Sequence, residues 1–154
     1  MAGANQALEN SPAYIDAAIL AGYDVEIDLR FIAGGIFLGH DDPVYEVDLD
    51  WVLKRKDRLY VHAKTLETVQ FLSSLDDVHF FFHDEDDCTL TSRKTVWVHP
   101  KARPIEGCIF VMPERSNVDM KDMLICSAIC TDHVIHYEQE YNILKVVHNE
   151  RQKN

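Results

Sequence analysis

The sequence predicts an α/β fold, because short apolar runs of strand length alternate with a few helical segments along the chain. The runs contain many β-branched and aromatic residues, which is typical of strands buried on both faces of a parallel sheet. Seven candidate strands are present, at residues 25–30, 36–39, 59–62, 78–83, 96–99, 108–112 and 125–130. An eight-stranded barrel without its first strand would give this count. We therefore expect a small, trimmed TIM-type βα-barrel, with a mixed open α/β sheet as the alternative.

The chain is short for such a barrel. It has 154 residues, whereas roughly 250 are typical, so several connecting helices must be short or replaced by loops. Good helical patterns are found only at Pro12–Ala21, at Leu66–Leu75 after the potential N-cap Thr65, and at Tyr137–His148. Because no linker, repeat or low-complexity segment divides the chain, we expect a single domain over residues 1–154.

The N-terminal third has the clearest order of elements. Ser11-Pro12 is a favoured helix start, with serine as the N-cap and proline at the first helical position, and Gly22 is a favoured stop. A strand follows at Val25–Arg30. A turn at Ala33-Gly34-Gly35 then leads to a second apolar run, which ends in Gly39-His40-Asp41.

Glu26 and Asp28 lie on the first of these strands and point in the same direction, because alternate residues of a strand share a face. Their backbone positions are roughly 7 Å apart, so a basic side chain or a hard cation such as Ca²⁺ or Mg²⁺ must offset their repulsion inside a cleft. The alternative is a strand whose acidic face is simply solvated. His40, at the end of the next strand, favours the cleft.

At these residues the chain resembles the glycerophosphodiester phosphodiesterase family, within the wider group of barrel phosphodiesterases that includes phosphatidylinositol-specific phospholipases C. The matching positions are Glu9-Asn10, Ala21-Gly22, Glu26-x-Asp28-Leu29-Arg30 and His40-Asp41. The match is good over residues 9–42 and weaker beyond. Lys64 matches the lysine of the family's Glu-x-Lys strand, but His62 replaces the glutamate.

The resemblance implies a divalent metal held by Glu26 and Asp28, with His62 in the place of a third ligand. It implies acid/base catalysis by His40. Lys64 would hold the phosphate or its developing charge, and Arg30 would add to that. Mg²⁺ or Ca²⁺ is the first expectation for the metal, and Zn²⁺ or Mn²⁺ the alternative, since imidazole suits transition metals better than Ca²⁺.

The start of the chain departs from the family pattern. Family members begin with a strand ending in His-Arg, which supplies a second acid/base histidine and a phosphate-binding arginine. Residues 1–10 have no strand character and no histidine. We expect either a truncated sequence or a first strand replaced from elsewhere. If the family's two-histidine mechanism applies, one proton donor is missing and we expect impaired activity.

Other apolar runs also end in polar residues. His83 and Glu85 follow the run at 78–83 and are secondary candidates for metal ligands. A barrel would collect such residues at the rim formed by the C-terminal ends of its strands.

The composition of the chain excludes some classes of binding partner. Lys and Arg number 15 against 26 Asp and Glu, a net charge of −11, which argues against nucleic-acid binding and against tight docking on anionic membranes. No apolar run has transmembrane length and no signal peptide is recognisable, so we expect a cytoplasmic protein without stable membrane insertion. Its cysteines form no C-x-x-C pair and are expected to be reduced.

The first functional hypothesis is a metal-dependent phosphoric diester hydrolase that acts on small glycerophosphodiester-like substrates, with a role in lipid metabolism. The alternative is a catalytically inactive binding or regulatory protein on the same fold. A third hypothesis is an interaction module, a homodimer that closes the open sheet edge with a second copy.

Overall fold

The computed structural model describes residues 5–151, and the side chains of residues 5–144. The chain divides into two compact units. The first comprises Asn5–Glu85 and Leu90–Lys94, and the second comprises Asp86–Thr89 and the residues from Thr95 onward. The single domain over residues 1–154 remains a prediction, and residues 1–4 and 152–154 of that range lie outside the described residues. Gln6–Leu8 forms a 3₁₀ turn, in keeping with the expected lack of strand character there.

The first unit contains a five-stranded mixed sheet. Its elements are, in chain order, α1 (Pro12–Leu20), β1 (Val25–Ile32), β2 (Gly35–Leu38), β3 (Tyr45–Val47), α2 (Leu49–Leu53), β4 (Leu59–Ala63), α3 (Leu66–Ser73) and β5 (Phe80–Phe81). The strand order is β3-β2-β1-β4-β5. β1 pairs with β2, and β2 with β3, in antiparallel fashion, whereas β1 with β4 and β4 with β5 are parallel.

Local sequence explains where the helices of this unit begin. Pro12 occupies the first turn of α1, as the Ser11-Pro12 pair predicts. The Thr65 side chain caps α3 by accepting the backbone N–H of Thr68. Asp48 caps the short helix α2, which the sequence did not predict, by accepting the N–H of Trp51 at 2.6 Å.

The core of the first unit lies between its sheet and its helices. Ile27 and Leu29 of β1, Val61 of β4 and Leu72 of α3 are all fully buried. Thr68 of α3 is buried as well, and its Oγ1 accepts the backbone N–H of residue 31 at 2.9 Å. Asp28 of β1 therefore lies between two fully buried chain neighbours, Ile27 and Leu29.

The second unit contains a four-stranded sheet. Its elements are β6 (Cys88–Leu90, whose last residue is counted with the first unit), β7 (Val96–Val98), β8 (Ile109–Val111), β9 (Ala128–Cys130) and α4 (Val134–Arg151), with 3₁₀ turns at Pro113–Arg115 and Met120–Ile125. The strand order is β6-β7-β8-β9, and β7, β8 and β9 are parallel. Its core is a small cluster formed by Val98, Cys108, Phe110, Met123 and Cys126.

The prediction of a TIM-type barrel is wrong. Over the described residues the strands form two open sheets, of five and four strands, and neither closes into a barrel. One reason is the turn after β1, where Ala33 and Gly34 both have positive φ. Such a two-residue turn directs β2 back along β1 as an antiparallel hairpin. β2 thus occupies an edge of β1 on which a barrel needs a parallel strand. The alternative of mixed open sheets is the correct one.

The sheets end at β3 and β5 in the first unit, and at β6 and β9 in the second. A homodimer through an open edge remains a prediction. Across the described part of the chain, no helix has the length and apolar character needed to cross a bilayer.

Two leucines of α3 provide a matched test of the core. Leu72 is fully buried, whereas Leu66 is 73% exposed. We expect Leu72→Ala to lower the free energy of unfolding by about 3 to 5 kcal/mol, because it removes buried methyl groups and leaves a cavity. Leu66→Ala should change it by less than about 0.5 kcal/mol. Chemical unfolding followed by circular dichroism measures both values, and equal effects would contradict the packing described.

His79, just before β5, gives the stability of the fold a pH dependence. Burial, with a smaller contribution from the charge of Arg93, lowers the pKa of His79 to about 4, from about 6.5 in an unfolded chain. The unfolded state therefore binds this proton more readily, and stability decreases as the pH falls from about 6.5 to 4.

Replacing His79 with Phe should remove this part of the pH dependence while keeping a ring against Tyr60, whose ring centre is 4.6 Å from that of His79. When the pH is lowered from 7.5 to 5, the free energy of unfolding should fall by about 2 kcal/mol more for the wild-type protein than for the variant. Unfolding curves at the two pH values measure this difference. The exposed His133, changed to Phe, is the control and should leave the slope as in the wild type.

Candidate active site

Asp28 is the centre of the polar cluster on the sheet of the first unit. Its side chain is 3% exposed, and four side chains surround its carboxylate. Asn10 Nδ2 donates to Oδ2 at 2.9 Å, and His40 Nδ1 lies 3.1 Å from the same oxygen. His62 Nδ1 and Lys64 Nζ lie 3.0 and 3.1 Å from Oδ1. The carboxylate is thus buried, and each of its two oxygens has two polar contacts.

Parallel pairing of β1 with β4 brings these groups together. Asp28 is the register partner of His62, and Glu26 of Tyr60, so the acids of β1 lie beside His62 of β4. Lys64 follows β4 directly, and its backbone N–H donates to the carbonyl of Leu29 at 3.0 Å. Residues 34 or more positions apart in the chain therefore share one site because two strands are hydrogen-bonded neighbours.

Asn10 holds Asp28 by two hydrogen bonds. Its amide nitrogen donates to the carboxylate, and its Oδ1 accepts the backbone N–H of Asp28 at 2.8 Å. The backbone of Asn10 is in the left-handed region, with φ 59°, which asparagine tolerates better than most residues. Asn10 is buried and is therefore part of the site, a role that its sequence position next to Glu9 did not indicate.

The position of His40 depends on Gly39. Gly39 has φ +150°, its N–H donates to the carbonyl of Asp28 at 3.1 Å, and a Cβ there would lie 1.9 Å from the carbonyl oxygen of Asp42. Only glycine fits this turn, which directs the His40 ring toward Asp28. The ring is about half exposed and so is accessible from solvent.

Arg30 supports the same turn. Its Nη2 donates to the carbonyl oxygens of His40 and Asp41, each at 2.8 Å. This contact gives Arg30 a structural task at the site. The phosphate-binding role that the resemblance implies for Arg30 remains a prediction.

The environment of Asp28 keeps it ionised. Burial alone would raise the pKa of the carboxyl group, but hydrogen bonds from His62, Asn10 and Lys64, with the positive charge of Lys64, hold the pKa well below its usual range. At neutral pH the site therefore contains a buried negative charge, which can orient two imidazoles or contribute to the binding of a cation.

Among the described residues, two groups of side chains could hold a metal ion. Glu26, Asp28 and His62 offer ligand atoms that all lie within 4.8 Å of one another, and Glu9, Asp28 and His40 do the same. In the first group His62 Nδ1 lies 3.9 Å from Glu26 Oε1 and 3.0 Å from Asp28 Oδ1. Two carboxylates and an imidazole that face one another in this way fit a divalent cation, provided that Nδ1 of His62 carries no proton.

Aromatic stacking fixes the ring of His62. Its plane is nearly parallel to that of Phe81, with ring centres 5.0 Å apart, and to that of His83, with centres 4.7 Å apart. The sequence suggested His83 and Glu85 as secondary metal ligands. Among the described residues neither belongs to a group that could hold an ion, and His83 instead packs against a candidate ligand.

The cluster opens into a cleft of about 470 Å³ in the first unit. The lining consists of His40, His62, Lys64, Thr65, Leu66, Phe82, His83 and Asp84. This lining includes three histidines and one lysine but only one carboxylate, that of Asp84, although the chain as a whole has a net charge of −11. The cleft therefore concentrates groups that can interact with an anion.

No protein family, curated protein or solved structure matches the chain. The resemblance to the phosphodiesterases remains a prediction, and the case for a site rests on its geometry.

The candidate residues Glu26, Asp28, His40, His62 and Lys64 lie in one cluster. Sequence reasoning missed the roles of Asn10 and His83. For His83 a signal existed, because it stands two residues after Phe81 and must share its face of the sheet if the strand continues. For Asn10 nothing in the local pattern showed that it would reach β1.

We expect Asn10→Ala to lower the free energy of unfolding by about 1 to 3 kcal/mol, since it leaves the buried N–H of Asp28 without an acceptor. Asn10→Gly accommodates the positive φ, and comparison of the two variants separates backbone strain from the lost hydrogen bonds. Thermal and urea unfolding measure both. The exposed Asn117, changed to Ala, is the control, and a loss at position 10 no larger than at position 117 would contradict the role given to Asn10.

Proposed function

We propose that the protein is a metal-dependent phosphodiester hydrolase that acts on small glycerophosphodiester-like substrates. One observation carries the proposal: the carboxylates of Glu26 and Asp28 lie in one cluster with two histidines and a lysine, and three of these residues, His40, His62 and Lys64, line the same cleft. The likeness of these residues to the phosphodiesterase motifs supports the reaction class. It also supports the substrate class.

The metal would be held by Glu26, Asp28 and His62. Mg²⁺ or Ca²⁺ is proposed first because carboxylate oxygens dominate the donor set, and the imidazole nitrogen makes Mn²⁺ and Zn²⁺ the alternatives. When bound, such an ion supplies Lewis-acid stabilisation of the negative charge on the phosphoryl oxygens. Glu26 and Asp28 provide the negative charge that retains it.

His40 is placed to move a proton. With Nδ1 donating to Asp28 Oδ2, the second nitrogen, Nε2, carries the free lone pair, and the ring borders the cleft. A histidine oriented by a buried carboxylate in this way can accept a proton from the attacking hydroxyl or water, or return one to the leaving alkoxide. Half exposure of the ring keeps it within reach of substrate and solvent.

Lys64 is the cation proposed for the phosphate itself. Its side chain is 15% exposed, so its charge acts in a region of low dielectric constant, where it stabilises a developing anion more strongly than in water. Thr65, the next residue, and His83, whose ring stacks on that of His62, also line the cleft. Together with Lys64 they make the cleft suited to an anionic group.

A specific observation favours a second candidate, a binding or regulatory protein without catalysis. No arginine is among the described residues that line the cleft, although the family that the chain resembles uses one for a phosphate contact. The same cleft would then retain a phosphodiester without cleaving it.

Hydrolysis of an aryl phosphodiester and of a glycerophosphodiester, with Mg²⁺, Ca²⁺, Mn²⁺ or Zn²⁺ added in turn, tests the proposal. We expect His40→Ala to reduce kcat by about 100-fold or more, as loss of a general acid/base does. Glu26→Gln and Asp28→Asn should abolish the metal-dependent activity, because each removes a proposed metal ligand. The exposed His133 lies in the second unit, and His133→Ala should retain full activity.

Activity that is insensitive to all three changes would exclude the enzyme proposed here. Metal-dependent binding of the diester without turnover, lost in Asp28→Asn, would favour the binding protein instead.

A further inference from the structure

The ammonium group of Lys64 contacts Asp28, which is also a candidate metal ligand. Its Nζ is 3.1 Å from Asp28 Oδ1, the same oxygen that His62 Nδ1 contacts at 3.0 Å. Asp28 and His62 also belong, with Glu26, to a group of possible metal ligands. One carboxylate is therefore shared between Lys64 and a group of candidate metal ligands.

The buried carboxylate of Asp28 needs a positive partner. Among the described residues, Lys64 is the one lysine or arginine whose side chain pairs with it. The two side chains are only 15% and 3% exposed, so water screens the pair weakly, and a buried charge without its partner is strongly destabilising. Lys64 thus performs for the metal-free protein what a bound cation would perform for the loaded one.

We propose that Lys64 is an internal counter-ion that a divalent metal displaces from Asp28, and that the released ammonium then contacts the phosphate of the substrate. The inference rests on the proposed function, because it assigns two successive positions to a residue of that site. It couples the loading of the metal to the completion of the phosphate site.

The structure permits this movement. The backbone of Lys64 is fixed at the end of β4 by the hydrogen bond to the carbonyl of Leu29, but its ammonium group is carried on a flexible four-carbon stem. Lys64 also borders the cleft, so its ammonium can leave Asp28 without leaving the site. A dication and an ammonium group on one oxygen would repel each other, and this repulsion provides the force for the exchange.

The proposal predicts that removal of Lys64 raises the affinity of the site for the metal. A lysine that only orients Asp28 would support metal binding, and its removal would weaken that binding. A lysine that competes for Asp28 opposes metal binding, so its removal must strengthen it. The affinity for the metal alone, measured without substrate, therefore distinguishes the two roles.

The experiment titrates Mn²⁺ into wild-type protein, Lys64→Met and Lys64→Arg, with binding followed by calorimetry and by the electron paramagnetic resonance of free Mn²⁺. We expect Lys64→Met to bind Mn²⁺ at least about tenfold more tightly than wild type, because no ammonium has to be displaced. Lys64→Arg keeps the positive charge and should bind no more tightly than wild type.

Lys54 offers the matched control. It lies in the same unit, is exposed, and pairs with Asp50 at 2.6 Å. Lys54→Met makes the same change in net charge as Lys64→Met and should leave the Mn²⁺ affinity within about twofold of wild type, since water and salt screen distant surface charges.

A second measurement uses the wild-type protein alone, in case Lys64→Met does not fold. Nitrogen-detected NMR of the lysine ammonium groups should show a protected Lys64 signal that shifts when Mg²⁺ saturates the site. A Lys64 signal unchanged at saturating Mg²⁺ overturns the proposal.

Unchanged or weaker Mn²⁺ binding by Lys64→Met, with binding by the wild type intact, overturns the exchange but leaves the hydrolase in place. If neither protein binds a metal, the exchange fails together with the metal dependence of the proposed function, and the hydrolysis assay then decides separately whether any enzyme remains.

Discussion

The site depends on a single buried carboxylate and the groups that satisfy it. Asp28 is out of contact with water, and a charge in that position is tolerated only when hydrogen bonds and an opposite charge compensate its lost hydration. Asn10, His40, and the neighbouring residues His62 and Lys64 provide this compensation from three segments of the first unit. The groups that could act on a substrate are therefore also the groups that make the buried charge acceptable.

This arrangement connects stability with function. Around Asp28, the turn at Gly39 and the left-handed backbone of Asn10 each place one side chain, and the β1 to β4 register places two, His62 and Lys64. The same register pairs the buried Ile27 with Val61, so it serves both the core and the site. Concentrated constraints of this kind are typical of functional sites, where local strain is retained because the surrounding structure maintains it. The proposed function and the proposed role of Lys64 both follow from this cluster.

Local sequence patterns predicted part of the fold and most of the candidate site. The three helical patterns correspond to α1, α3 and α4, because caps and apolar spacing act over a few residues. The barrel was wrong because a count of strands does not reveal which strands pair, and pairing is a contact between distant segments. The positive φ of Ala33 and Gly34 produced an antiparallel hairpin, and the later strands proved to be only two or three residues long.

The sequence by itself determined the chemistry of the side chains and their order along each strand. It places Glu26 and Asp28 on one face, and it places His40 at the end of the run that follows. The tertiary structure alone decided that His62 and Lys64 lie beside Asp28, that Asn10 reaches back to it, and that His83 stacks on His62. The physical reason is that face and spacing follow from the geometry of a single strand, whereas burial, ionisation and partnership depend on which strands become neighbours.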